Sequence, residues 1–154
     1  EQLEGAVHSQ IKKRLLELGI PNDQLDHCHE AIQIALNNIQ SNPTGQWIMR
    51  EHESLEKELP LSLVESNEIK HYIIDRTFID KGVRWIIDFK SSTPTDETDE
   101  LFLFRQQEEY KQQLNQYAHV MSEMESLPIK CALYFPMANL FISWDYKHVE
   151  QCIT

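Results

Sequence analysis

Two aspartates and a lysine in the stretch "YIIDRTFIDKGVRWIIDFKSS", residues 72–92, are the side chains best placed to do chemistry. Asp75 and Asp88 each interrupt an apolar run rich in Ile, Trp and Phe, where a buried strand favours aliphatic residues. Lys81 and Gly82 separate the two runs, and a two-residue turn with glycine at a positive φ predicts a β-hairpin. With that turn, 80 faces 83 and every later pair follows, so Asp75 falls opposite Asp88. Directly opposed residues have Cβ atoms about 5 Å apart. Lys90, two positions beyond Asp88, joins the same face, while Ile74, Phe78, Trp85, Ile87 and Phe89 fall on the other, expected to be packed.

Like charges opposed across a ladder repel, so the pair calls for a neutralising partner. A divalent cation meets that need, because Mg²⁺ takes one or two carboxylates together with water and substrate phosphate oxygens. A lysine beside such an ion could hold an attacking water or balance charge developing on a phosphoryl group. The same residue types also suit a plain reading, in which the aspartates are solvated or paired with Lys90 or Arg76. Arg76 points away from Asp75 and is expected to pack or pair.

The elements around the hairpin must hold it. Residues 4–18 carry Val7, Ile11, Leu15 and Leu18 at helical spacing, ended by Gly19 and Pro21. A second helix is expected from an N-cap at Asn22 through Ile32, Ala35, Leu36 and Ile39, broken by "SNPTG". "QWIMREHESLEKE" reads as a short helix or irregular cover, and "LPLSLVE" as the first strand. After the hairpin, residues 93–100 are an acidic loop, expected to be mobile. A long helix follows over about 103–126, with Tyr110, Leu114, Tyr117, Met121 and Met124 on one stripe. "IKCALYFP" and "NLFISWDY" supply two closing strands. The order predicts an α/β or α+β sandwich, with α/β the expected class, around a mixed central β-sheet flanked by helices, as one domain over 1–154. Because it begins with Glu, the chain is expected to be a fragment of something larger.

Bulk composition narrows the function. With 14 Lys and Arg against 25 Asp and Glu, the formal charge of −11 disfavours a simple adhesive surface for nucleic acid. It leaves room for a DNA-processing site whose positive charge comes from metal ions or neighbouring domains. No apolar run reaches membrane-spanning length, and no succession of charged, apolar and small residues at the start of this sequence suggests a signal peptide. Cys28, Cys131 and Cys152 lack CxxC spacing and fit a reducing compartment. His27, Cys28 and His29 are adjacent, but neighbours on a helix point about 100° apart, so a zinc site there is disfavoured. A phosphate-cradling GxxxxGK[ST] loop is absent, which excludes an ATPase in this piece. Glu53, Glu58 and Glu65 are read as a solvated face, although one of them could approach the site.

Asp75, then Asp88, then Lys90 two further on, resembles the D…(D/E)xK core of the PD-(D/E)xK nuclease superfamily. The wording "IIDRTF…VRWIIDFKSS" is similar to the RecB-type branch, found at the C-terminal end of bacterial UvrD-like helicase/exonuclease subunits such as RecB and AddA (exonuclease V beta-like). That branch carries QxxxY on the following helix, and "QLNQY" supplies Gln113 and Tyr117. It carries an early histidine as well, for which "EGAVHSQI" offers Gly5 and His8. The closing "ALYFP…FISW" fits the same branch, so the resemblance runs from Gly5 to about Trp144.

The resemblance implies a restriction-endonuclease-like core. It implies that His8, Asp75 and Asp88 hold Mg²⁺ or Mn²⁺, with the backbone carbonyl of Phe89 as a further ligand. Lys90 would position or activate water, and Gln113 and Tyr117 would orient Lys90 and the DNA strand. The implied activity is a metal-dependent DNA exonuclease, a hydrolase leaving a 5′-phosphate, acting in double-strand-break repair and recombination in the bacterial cytoplasm. Implied partners are DNA, the helicase motor domains of the same chain and a second nuclease or scaffold subunit, with no membrane. Some relatives hold an iron–sulfur cluster on four cysteines, which three scattered ones cannot supply. Two alternatives remain: a catalytically idle module that docks a partner subunit or DNA, and a stand-alone restriction-like endonuclease.

Overall fold

In the computed structural model, Ser9, Lys12, Lys13 and residues 15–148 are described. Helical backbone at residues 12, 13 and 15–17 turns at Leu18 and Gly19, with Gly19 at φ +84°. Leu18 lies in this turn and is 67% exposed, so it leaves the apolar stripe expected of it. Val7, His8 and Ile11 lie outside the described residues.

Helix α1, Asn22–Ser41, has Pro21 at its N-cap position without a side-chain cap bond, one residue before the expected cap, and Asn22 is its first helical residue. Asn42 then caps α2, Pro43–Met49, through its side-chain oxygen, which accepts from Thr44 N at 2.8 Å. Proline at the start of α2 costs nothing, since its missing N–H would have no helical partner. The "SNPTG" break is thus a change of direction between two helices, with Gly45 buried inside the second.

Five strands follow: β1 Glu53–Glu65, β2 Glu68–Asp80, β3 Val83–Phe89, β4 Ile129–Phe135 and β5 Leu140–Asp145. They form one mixed sheet in the order β1-β2-β3-β4-β5. Only β3 and β4 are parallel. A parallel pair needs a crossover, and helix α3, Asp99–Met124, supplies it. Thr98 caps α3 by accepting from Leu101 N at 3.2 Å. The fold is α/β, with helices on both faces of the sheet.

β1 begins six residues before the expected strand. Its first half, "ESLEKE", has one apolar residue, Leu55, and exposes its charges along the sheet edge. Charged edges of this kind discourage pairing with another chain and hide the strand from hydrophobic pattern.

Both faces of the sheet are packed, which corrects the expectation of one packed face. Phe102, Leu114, Tyr117, Ala118 and Met121 of α3 cover Leu61, Ile74, Ile86, Cys131, Leu133 and Phe135. On the opposite face Ile48 of α2 joins Phe78, Ile87, Ala132 and Tyr134, with Ile39, Trp47 and Trp85 around them. The consecutive apolar residues of β4 therefore feed both layers, as a central strand should. Within α3's expected stripe, Tyr110 packs at the core margin and Met124 is 64% exposed.

Candidate active site

The hairpin turn places Lys81 at φ +50° and Gly82 at φ +74°, the two positive values of a type I′ turn. From it the ladder runs Asp80↔Val83, Ile79↔Arg84, Phe78↔Trp85, Thr77↔Ile86 and Arg76↔Ile87. This is the expected register, and its next step is Asp75 opposite Asp88. There the regular ladder stops, because Asp75 Oδ2 accepts from Phe89 N at 2.8 Å.

β2 also changes faces at this point. Tyr72 and Ile74 pack beneath α3, whereas Phe78 packs on the α2 side. Arg76 likewise reaches the α2 side, donating to the carbonyls of Ile48 at 2.7 Å, Met49 at 3.2 Å and Arg50 at 3.1 Å. Simple alternation would put 74, 76 and 78 together. On the neighbouring strand, Lys57 pairs with Arg76 and Leu59 with Ile74, leaving Glu58 opposite Asp75 with φ +51°. The local distortion is what sends Ile74 to the α3 layer and frees the Asp75 carboxylate to bend toward β3.

Asp88 is 9% exposed, and Lys90 Nζ lies 2.7 Å from its Oδ2. Burial raises the Asp88 carboxyl above the ordinary carboxylate range; the lysine opposes this and the neighbouring Asp75 adds to it. Burial thus outweighs the ion pair. The ammonium of Lys90 also sits 3.8 Å from the centre of the Tyr110 ring, a cation–π contact that fixes its position.

Gln113 and Tyr117 arrive from α3, four residues apart on one helix face. Tyr117 is buried against the sheet, and its ring meets Tyr72 edge-on at 5.5 Å. Its hydroxyl is pushed up to about 12, first by burial and then by the charges of Asp88 and Asp75, against a hydrogen bond with Gln113. The phenol therefore stays protonated and can donate. Asp75, Asp88, Lys90, Gln113 and Tyr117, separated by up to 42 positions in sequence, converge at one end of β3. Phe89 stands between Asp88 and Lys90 as the last residue of β3. His8 lies outside the described residues.

Two aromatic members, Tyr72 and Tyr110, were not among the expected site residues. Tyr110 is three positions before Gln113 and seven before Tyr117, so helical spacing alone could have marked it. Glu53 is exposed and Glu65 is engaged by Lys70 at 2.6 Å and by Gln116, which donates to it at 2.7 Å, whereas Glu58, exposed, is the one of the three that lies opposite Asp75 in the ladder.

The donor set is hard, with the carboxylates of Asp75 and Asp88 meeting at the end of β3, and such oxygen donors suit Mg²⁺ or Mn²⁺. Asp88 Oδ2 is buried, and the Lys90 ammonium at 2.7 Å is the positive charge that now meets it. Two neighbouring carboxylates against one ammonium leave an excess of negative charge, which is a fit place for a cation. On the far side of Lys90, Ala31, Ile32 and Ala35 of α1 with Pro136 and Met137 wall an apolar cleft of about 320 Å³.

No helix among the described residues is long and apolar enough to cross a membrane. No protein-family model matches the chain, and no curated protein matches it.

Proposed function

We propose that this chain is a divalent-metal-dependent nuclease domain with a restriction-endonuclease-like core, hydrolysing DNA phosphodiesters as an exonuclease of the RecB type. The observation that carries the reading is the junction of Asp75, Asp88 and Lys90 at the end of one hairpin, joined by Gln113 and Tyr117 from the crossover helix. Asp75 and Asp88 would hold the ion, with His8 and the Phe89 carbonyl as the further ligands the resemblance implies. Mg²⁺ or Mn²⁺ when bound would polarise a phosphate oxygen and lower the pKa of bound water.

The remaining residues have roles of their own. Lys90, released from Asp88 when an ion takes over that carboxylate, would orient water or balance phosphoryl charge. Tyr110 limits where its ammonium can go. Tyr117, held protonated, is a donor for a phosphate oxygen, and Gln113, one turn before it on α3, would orient it. The acidic surface accords with DNA being delivered by other domains, for which helicase motors of the same chain and a partner subunit in a bacterial cytoplasm are the proposed sources.

The test is cleavage of linear single- and double-stranded DNA with Mg²⁺ or Mn²⁺, beside Asp88→Ala and Lys90→Ala. The proposal expects metal-dependent cutting by the wild type and at least a hundredfold loss in either variant. Equal cutting by all three would reject the site. A wild type that binds metal and DNA without cutting would favour the idle docking module.

A further inference from the structure

A second metal-binding constellation stands on the opposite side of α3. His119 and Glu123 are four residues apart in its last two turns, and His148 follows β5. One ligand atom from each lies within 4.8 Å of the other two, and all three residues are exposed. Two successive residues turn a helix by about 200°, so His119 faces away from Tyr117 and the aspartate site.

We infer that His119, Glu123 and His148 form a site for a transition-metal dication of the Zn²⁺ class, which ties the chain leaving β5 to the end of α3. The donor chemistry separates it from the first site. Two imidazoles and one carboxylate select zinc-like ions, whereas oxygen donors select Mg²⁺. Ligand bonds of about 2.0–2.1 Å in a tetrahedron set ligand atoms about 3.3 Å apart. His148 Nε2 and Glu123 Oε1 are now 3.9 Å apart, and their side chains are 53% and 66% exposed, so small rotations close the gap.

The surroundings already orient the group. Tyr146 OH lies 3.3 Å from His119 Nδ1; donation from Nδ1–H to that hydroxyl leaves the lone pair on Nε2, as a ligating imidazole needs. The segment bearing Tyr146 is pinned by Tyr146 N donating to Ile129 O at 2.9 Å, and by Trp144 Nε1 donating to Asn115 Oδ1 at 3.0 Å. The rings of His119 and His148 are 5.6 Å apart, so the two imidazoles already face a common space. His119 and Tyr146 also line an open groove of about 700 Å³ between α3 and β1, which gives an ion access. With three protein ligands, the fourth position is left to water.

Zinc binding to the whole chain, measured by calorimetry in excess Mg²⁺, tests this. The expected result is one Zn²⁺ per chain in the wild type and in Asp88→Ala. His119→Ala or His148→Ala should weaken binding at least tenfold, and the double variant should abolish it. Substituting Co²⁺ should give the intense visible absorption of a tetrahedral site, lost in the same variants. The substituted side chains are exposed, so circular dichroism should be unchanged. Zinc retained by the double variant, or lost instead in His27→Ala/His29→Ala, would overturn the inference, as would no binding at all. Because Asp88→Ala is expected to keep its zinc, failure here leaves the nuclease reading intact, and the reverse.

Discussion

Replacing Gly45 by alanine should destabilise the protein and weaken the site through one strand. A Cβ at this position would lie 2.7 Å from Ile39 O, 2.8 Å from Ile39 Cα and 2.7 Å from the Tyr134 hydroxyl, where ordinary contact starts at 3.4 Å. Two of those atoms are backbone and cannot swing aside, and Tyr134 is 1% exposed. Two effects compete. Alanine in a helix gains at most about 1 kcal/mol over glycine, while overpacking costs about 1–3 kcal/mol. The clash should win by about 1–2 kcal/mol, which at about 2–4 °C per kcal/mol lowers Tm by several degrees. The displaced Tyr134 matters beyond stability, because its carbonyl accepts from Lys90 N at 2.9 Å. DNA cleavage should therefore fall severalfold as well. Tyr134→Phe removes one of the three obstructing atoms. Its hydroxyl is buried with no hydrogen-bond partner among the described residues, so that change alone should be near neutral, and in the double variant it should restore part of the loss. Urea unfolding followed by circular dichroism reads all four proteins. A Gly45→Ala protein that unfolds at or above the wild-type midpoint would refute the close approach of α2 to α1 and β4.

Other outcomes follow from particular contacts. Asp88 has its folded pKa raised above the unfolded value near 3.8, so its contribution to stability is present below that value and lost as pH rises through the folded one. Asp88→Asn should thus flatten this part of the metal-free protein's stability–pH curve, measured by denaturant titration, while abolishing cleavage. Arg76→Met, which strips three carbonyl partners at the end of α2, should cost about 3 kcal/mol in the same unfolding experiment. Arg84, 7% exposed in its side chain, grips Glu125 at 2.6 and 2.9 Å, so Arg84→Met should cost more than Arg84→Met with Glu125→Met. The Cys131 thiol is buried and pushed up to about 12, so a thiol reagent should label it only on unfolding.

The hairpin was legible in the sequence because a two-residue turn fixes the pairing of everything after it. The register through Arg76↔Ile87 is the predicted one. The layers were not legible from the same counting. Alternation assigns Ile74 and Phe78 to one face, yet the distortion at Glu58 and Asp75 separates them, and no residue type announces it. The first half of β1 escaped detection because an edge strand needs no apolar pattern. Gly45 looked like a helix breaker and is a close-packing position. On α3, Gln113 and Tyr117 were marked by resemblance, whereas Tyr110 was legible as a member of the same stripe and its contact with Lys90 was not.

The central claim, that Asp75 and Asp88 hold a catalytic cation, is most directly tested by counting bound Mn²⁺ by electron paramagnetic resonance. The wild type should bind Mn²⁺ at a site lost in Asp75→Ala and in Asp88→Ala, and kept when His119 and His148 are both alanine. Mn²⁺ binding that is unchanged in the two aspartate variants would contradict it.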